Sequence, residues 1–272
     1  MKNITSNLLL NKKIFSIRIN KNDLLKKKKN LILSDKYGSN KLKKLNWYKK
    51  GFEVINVFNL EEHYQNVKFV SRELKKIIKL KKNKFNINQY HEYINDRKHV
   101  EIIKKTRQLN PEKFYKIKNK IFTILKQKYN LKFKKNEILK TEICILRLNR
   151  PGKQDMNPPH RDGSLRCWSK CINIWYMLSG NRKTSALPIV PKSHLLSENN
   201  LLETQPKSKM NSIKYNVPII FKIKGKKKIS FKIPKIEPGQ VLIFSPYLIH
   251  GFGYNFGVET RSAIELRPQI KE

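Results

Sequence analysis

The hydrophobic rhythm of the chain changes about midway. From Leu60 onward, "LEEHYQNVKFVSRELKKIIKL" spaces its apolar residues three and four apart, the period of an amphipathic helix. "INQYHEYINDRKHVEIIKKTRQL" continues in the same way. A third helical stretch, "EKFYKIKNKIFTILKQKY", follows Asn110-Pro111, with proline in the first turn, where its missing N–H goes unused in any case. Ahead of these, "GFEVINVF" reads as a strand. After about Lys135 the runs become short and β-prone, and Gly, Pro and Asn separate them. They are "EILKTEICILRLNRPG", "LRCWSKCINIWYMLSG", "SALPIV", "KYNVPIIFKI", "KKISFKIPKI", "GQVLIFSP" and "ETRSAIELR".

Helices followed by closely spaced strands predict an α+β fold. The expected form is a double-stranded β-helix, jelly-roll or cupin-like, with the N-terminal helices packed on one outer face. The expected organisation is a basic N-terminal extension over 1–45 and one domain over 46–272, helical over 46–136 with a jelly-roll core over 137–268. Residues up to about 45, with "LLKKKKN" and "KLKKLN", read as a poorly ordered or peripheral lead-in, some of whose Ile and Leu residues could pack on the body. The segment "LLSENNLLETQPKSKMNSIKYN" reads as an inserted loop. There is no internal repeat.

Composition narrows the function classes. With 39% hydrophobic and 10% aromatic residues in 272, the chain has too much apolar content for a disordered protein. Its 60 basic and 20 acidic residues give a formal charge of +40, which suits polyanions. Lysine nevertheless greatly outnumbers arginine, the residue that forks onto phosphate and guanine. Non-specific polyanion binding and a preference for acidic small substrates are therefore expected, and no specific nucleic acid. Cys144, Cys167 and Cys171 are too few for a disulfide framework; the pair at 167 and 171 reads as buried thiols on one strand face. No run approaches a membrane span or a signal h-region, so the cytoplasm is the expected location.

The chemistry centres on "NPPHRDGSLR". In an extended strand residues i and i+2 share a face, so His160 and Asp162 project together and Arg161 faces away. An imidazole and a carboxylate side by side are two members of the two-histidine, one-carboxylate set that binds iron(II) and leaves positions open. His250, in "LIHGFGYN" after the turn and strand of "PGQVLIFSP", fits the third place. Arg261, eleven residues further on, could fork onto a dicarboxylate. Each feature alone is weak; the ordered set carries the weight.

The C-terminal half resembles the phytanoyl-CoA dioxygenase-like branch of the iron(II)/2-oxoglutarate-dependent oxygenases over roughly residues 137–268. The resemblance rests on "PPHRDG", "INIWYML" followed by "SALPIVPKSH", "PGQVLIFSPYLIHG" and "NFGVETRSAIELR". It implies that His160, Asp162 and His250 bind Fe(II) and that Arg261 binds the distal carboxylate of 2-oxoglutarate. Trp175 matches the family's strand tryptophan beside the co-substrate. Asn173, sharing its face by alternation, is a further candidate for the same pocket. The implied activity is oxidation of a small-molecule substrate by O2, with succinate and CO2 as products. Asp162, absent from halogenating relatives, favours hydroxylation. Two departures stand out: Lys192 replaces the usual glycine before "SH", and Phe252 stands where many relatives have a serine. A non-catalytic jelly-roll binding protein, or an oxygenase acting on nucleic acid or a nucleic-acid-bound protein, are the competing classes.

For the neighbouring residues a structural role is expected. His194 is read as a turn hydrogen-bonder and His63, His91 and His99 as solvated helix residues. Arg267 is expected to pair with Glu265 or a neighbour. Arg166 and Lys153, which flank the His-x-Asp segment, could instead meet an acidic substrate.

Overall fold

The five-stranded sheet at the centre of the protein is antiparallel throughout, in the order Phe52–Asn56, Gln240–Phe244, Asn173–Ser179, Arg261–Leu266, Cys144–Asn149. The computed structural model describes residues 2–25, 30–80, 85–107, 109–154 and 157–272. All seven residues of Asn173–Ser179 are buried, because the strand is covered on both faces. Alternation sends Ile174, Tyr176 and Leu178 into one core and Trp175 and Met177 into another.

The first of these cores lies under the helices. Leu60–Ile78 begins at Asn59, whose side chain accepts from Glu62 N while Glu62 returns the bond to Asn59 N, a reciprocal cap that fixes the helix start. Val70, Leu74 and Ile78 from this helix, Ile102 and Ile103 from Asp96–Thr106, and Ile121 and Leu125 from Tyr115–Tyr129 pack on that sheet face. The long periodic run at 87–109 is broken into the short helix Tyr90–Tyr93 and Asp96–Thr106, with Asn95 capping the second.

The opposite layer is assembled from short pieces: Ile189–Val190 with Ile249–His250, Leu201–Glu203 with Ile220–Ile223, and a bridge joining His160 to His250. Trp175, Leu187, Leu242, Phe244 and Ala263 fill the space next to it. The result is the expected jelly-roll with helices on one outer face.

The N-terminus differs from expectation. Asn3–Leu10 and Lys13–Asn20 form a hairpin, and Asn3–Leu10 also pairs in parallel with Lys228–Ser230. Leu8, Leu10 and Ile17 are fully buried, in a core that includes Phe221 and Phe252. Residues 3–20 are thus neither poorly ordered nor peripheral, and their Ile and Leu residues pack on the body, the alternative the sequence left open. Asn11 and Lys12, with φ of 50° and 64°, make a two-residue turn of the kind that matches strand twist, and the alternation it joins buries one face. The lysines at 26–29 lie outside the described residues. The inserted loop is likewise structured: Lys209–Met210 and Ile213–Lys214 make a small hairpin. Its Asn211 accepts a bond from Arg18 N, tying it to the N-terminal strands.

Candidate metal centre

His160 and His250 face each other across the minor layer. Their backbones exchange two hydrogen bonds of 3.0 Å, and their rings stand 4.3 Å apart, centroid to centroid. Gly251 allows this approach: at φ of 97°, a Cβ there would meet Pro158 O at 2.5 Å and His160 Nδ1 at 2.9 Å. Arg161 is extended and Asp162 opens a single 3-10 turn, so Asp162 returns to the face of His160 while Arg161 pairs with Glu198 on the other side. The strand expected at this point is reduced to an isolated bridge at His160, yet His160 and Asp162 still share a face.

The ligand atoms of His160, Asp162 and His250 all lie within 4.8 Å of one another, and all three residues are buried. Each imidazole is held through its other nitrogen: His160 Nδ1 lies 2.8 Å from Pro158 O and His250 Nδ1 2.9 Å from Leu248 O. A carbonyl can only accept, so both Nδ1 atoms carry a proton and both Nε2 atoms are turned toward Asp162. These Nε2 atoms stand 3.5 and 3.4 Å from the two oxygens of Asp162. His160 Nε2 is buried without a hydrogen-bond partner among the described residues. Two imidazoles and a carboxylate, converging and partly unsatisfied, fit a divalent first-row metal. Burial, then the neighbouring His250, favours the neutral form of His160. Burial opposes the charge on Asp162, but Arg267 and the two imidazoles outweigh it and hold the carboxyl well below the usual carboxylate range.

Asp162 is fixed by more than the expected residues. Asn173 Nδ2 donates to Asp162 Oδ2 at 2.7 Å, and Arg267 Nη1 stands 3.1 Å from Oδ1. Arg267 also bonds Glu265, as expected, and Glu265 accepts from Arg147 Nε at 2.6 Å. Burial disfavours the Glu265 charge, yet Arg147 and Arg267 bring its carboxyl to about 2. This Arg147–Glu265–Arg267–Asp162 chain, buried except at the half-buried Arg147, was not foreseen beyond its middle pair.

Arg261 is 1% exposed, and its guanidinium lies 5.7 Å from the centre of the Trp175 ring. Both residues line an inner cavity of about 20 Å³ together with His160 and His250. That is room for about one water, so a larger guest there requires walls such as Leu187 and Phe244 to give way. Phe252 turns from this space, packing edge-on against Phe15 of the N-terminal hairpin at 5.4 Å.

The remaining expectations divide. His63 and His99 are not solvated: His63 bonds Tyr176 Oη at 2.8 Å and His99 bonds Tyr90 Oη at 3.0 Å, both buried on the inner faces of their helices. His91 is half-buried and meets Thr260 Oγ1 at 2.9 Å. His194 is buried edge-on against Tyr48, outside the ligand group. Cys167 lies in a 3-10 turn rather than a strand, so it and Cys171 do not share a strand face; all three cysteines are free. Arg166 and Lys153 are exposed, and Lys153 reaches Asp96. No helix among the described residues is long and apolar enough to cross a membrane.

No curated protein sequence matches the chain. Solved structures with a similar course include AviO1 from Streptomyces viridochromogenes Tue57, 14% identical over 82% of this chain and 91% of that one, with a TM-score of 0.46. The alpha-ketoglutarate-dependent carbocyclase SnoK from nogalamycin biosynthesis is 13% identical over 84% and 85%, TM-score 0.47. EctD from S. alaskensis, solved with 2-oxoglutarate and 5-hydroxyectoine, is 12% identical over 82% and 73%, TM-score 0.46. The phytanoyl-CoA dioxygenase (PhyH) family matches residues 40–263, most of the chain and both halves of the metal centre, and the protein belongs to that family.

Proposed function

We propose that this protein hydroxylates a small, acidic metabolite, using Fe(II), 2-oxoglutarate and O2 and releasing succinate and CO2. Iron and 2-oxoglutarate are the cofactors of the family to which the chain belongs. One observation carries the reading: two histidines and an aspartate, ninety residues apart in sequence at their extremes, meet with all ligand atoms within 4.8 Å in a buried site.

In this reading His160 Nε2, His250 Nε2 and one oxygen of Asp162 would hold the metal, a three-donor set that does not fill its coordination. Pro158 and Leu248 keep the imidazoles in the ligating tautomer, and Asn173 and Arg267 hold the carboxylate in place. Arg261, buried beside Trp175, takes the distal carboxylate of 2-oxoglutarate, a charge-assisted contact strengthened by exclusion of water. When bound, iron and 2-oxoglutarate supply the activation of dioxygen for oxidation of a substrate C–H bond. The protein's share is to orient the donors and to screen the centre from bulk water.

The test is succinate formation by the purified protein with Fe(II), 2-oxoglutarate and a substrate library. Turnover that requires both additions and disappears in His250→Ala supports the reading. Metal-loaded protein that binds library members but yields no succinate with any of them favours a binding protein.

A further inference from the structure

The segment 251–260 joins His250 to Arg261, and its first turn is conformationally demanding. Gly251 stands at φ of 97° and Phe252 at 56°, so two consecutive residues lie in the left-handed region. Glycine accepts that conformation freely; a bulky phenylalanine keeps it only where its surroundings fix it. The turn completes the pairing of the two ligand-bearing segments. His160 and His250 exchange backbone bonds at one end, and Phe252 N donates to Asn157 O at 2.9 Å at the other. Farther along, the segment is tied to the body by Gly152 N, which donates to Asn255 O, and by Asn255 Nδ2, which donates to the carbonyls of Asn149 and Glu259. Phe252 is buried in the core that it shares with the N-terminal hairpin. Phe15 of that hairpin meets the Phe252 ring edge-on at 5.4 Å and the rings of Tyr254 and Phe256 at 5.6 and 6.1 Å. One ring thus braces three alternate residues of the segment. The hairpin strands, Asn3–Leu10 and Lys13–Asn20, lie outside the part of the chain that matches the family, which begins at residue 40.

We propose that Phe15 is a positioning residue for the metal centre: by clamping Phe252 in its left-handed turn it holds His250 in register with His160, so that the N-terminal hairpin is a working part of the site. The consequence for iron rests on the metal-centre reading; the clamp on the segment does not. An edge-on aromatic pair attracts beyond the area it buries, which gives Phe252 a reason to stay where its backbone alone would not. Without that ring Phe252 relaxes toward negative φ, and its N–H swings away from Asn157 O. The pairing of the two segments is then left to the bonds between His160 and His250. His250 Nε2 samples positions away from Asp162, and donors that must be ordered on binding hold a metal less tightly than donors already in place.

The test is the Fe(II) affinity of the full-length protein by anaerobic titration, with hydrogen exchange over residues 250–256 followed in the same variants without metal. Phe15→Ala is expected to lower Fe(II) affinity about tenfold, the lower end of what losing a support around a metal site costs, and to raise exchange over that stretch. Phe15→Tyr keeps the ring at a half-buried position and should retain wild-type affinity. Ile19→Ala empties a buried position of the same hairpin; it should lower the urea midpoint and leave Fe(II) affinity unchanged. Should Phe15→Ala fail to fold, Phe15→Leu, which keeps apolar bulk without the ring, reads the same loss at about threefold. Where wild type binds iron, unchanged affinity in the Phe15 variant, or an equal loss in Ile19→Ala, overturns the proposal and leaves the metal-centre reading standing. Where wild type binds no iron, the metal-centre reading fails by itself and exchange decides the clamp: a rise in Phe15→Ala that is absent from Phe15→Tyr supports it, and no rise overturns it.

Discussion

The amide of Asn173 donates a 2.7 Å hydrogen bond to Oδ2 of Asp162, joining the central strand of the large sheet to the carboxylate of the metal centre. Asn173 is fully buried, and its backbone is fixed by pairing with Phe244. It therefore aims Asp162 rather than following it. Partners of this kind tune metal affinity by roughly ten- to a hundredfold. Asn173→Ala should lower Fe(II) affinity about tenfold, measured by anaerobic titration, with the far-UV spectrum unchanged. Unaltered affinity would show that Arg267 alone positions the carboxylate.

Arg261 should separate metal binding from co-substrate binding. Arg261→Gln is expected to raise KM for 2-oxoglutarate about tenfold or more while leaving the iron stoichiometry intact. Arg261→Lys should restore only part of the loss, because an ammonium cannot reproduce the planar fork. A normal KM in Arg261→Gln would move the carboxylate contact to Arg147, which lines the same inner cavity.

The N-terminal hairpin makes a stability prediction that a peripheral lead-in would not. Leu8 is fully buried among Ile17, Ile229 and their neighbours. Leu8→Ala should cost about 2–4 kcal/mol in urea unfolding, the usual range for a core leucine that leaves a cavity. A change of a few tenths would mean that the hairpin detaches without consequence.

Two buried histidines set an acid limit. Burial lowers His63, helped by Arg182, and burial lowers His194; both fall from 6.5 to about 4. Between those values the unfolded chain takes up protons that the native protein refuses. Their contribution to stability is therefore complete above about pH 6.5 and is lost as pH falls toward 4, by about one to three kcal/mol per histidine. The urea midpoint should fall over that window, and less steeply in His63→Gln. A midpoint independent of pH there would contradict the assignment.

How much of this was legible in the sequence depended on how local the signal was. His160 and Asp162 stood out because alternation over three residues is a local property, and His250 because a turn, a strand and glycines surround it. Asn173 followed from parity with Trp175, although parity alone gave no hint that it would meet Asp162. The hairpin was obscured: Ile4, Ser6, Leu8 and Leu10 do alternate with exposed positions, but lysines and a leucine triplet hide the period of two. His63 was readable, since it shares a helical stripe with Val70, Leu74 and Ile78; charged neighbours drew attention from that spacing. The link from Arg267 to Asp162 spans 105 residues and exists only once the sheet has brought Arg261–Leu266 beside Asn173–Ser179. Charge composition does not predict that contact.

The most direct measurement is the iron content of the protein, reconstituted anaerobically with Fe(II) and gel-filtered, for wild type and for His160→Ala, Asp162→Ala and His250→Ala. One Fe(II) per chain in wild type, lost in each variant while the circular dichroism is retained, is the expected result. Iron bound equally by wild type and by all three variants, or by none of them, would contradict the convergence of these side chains on a metal.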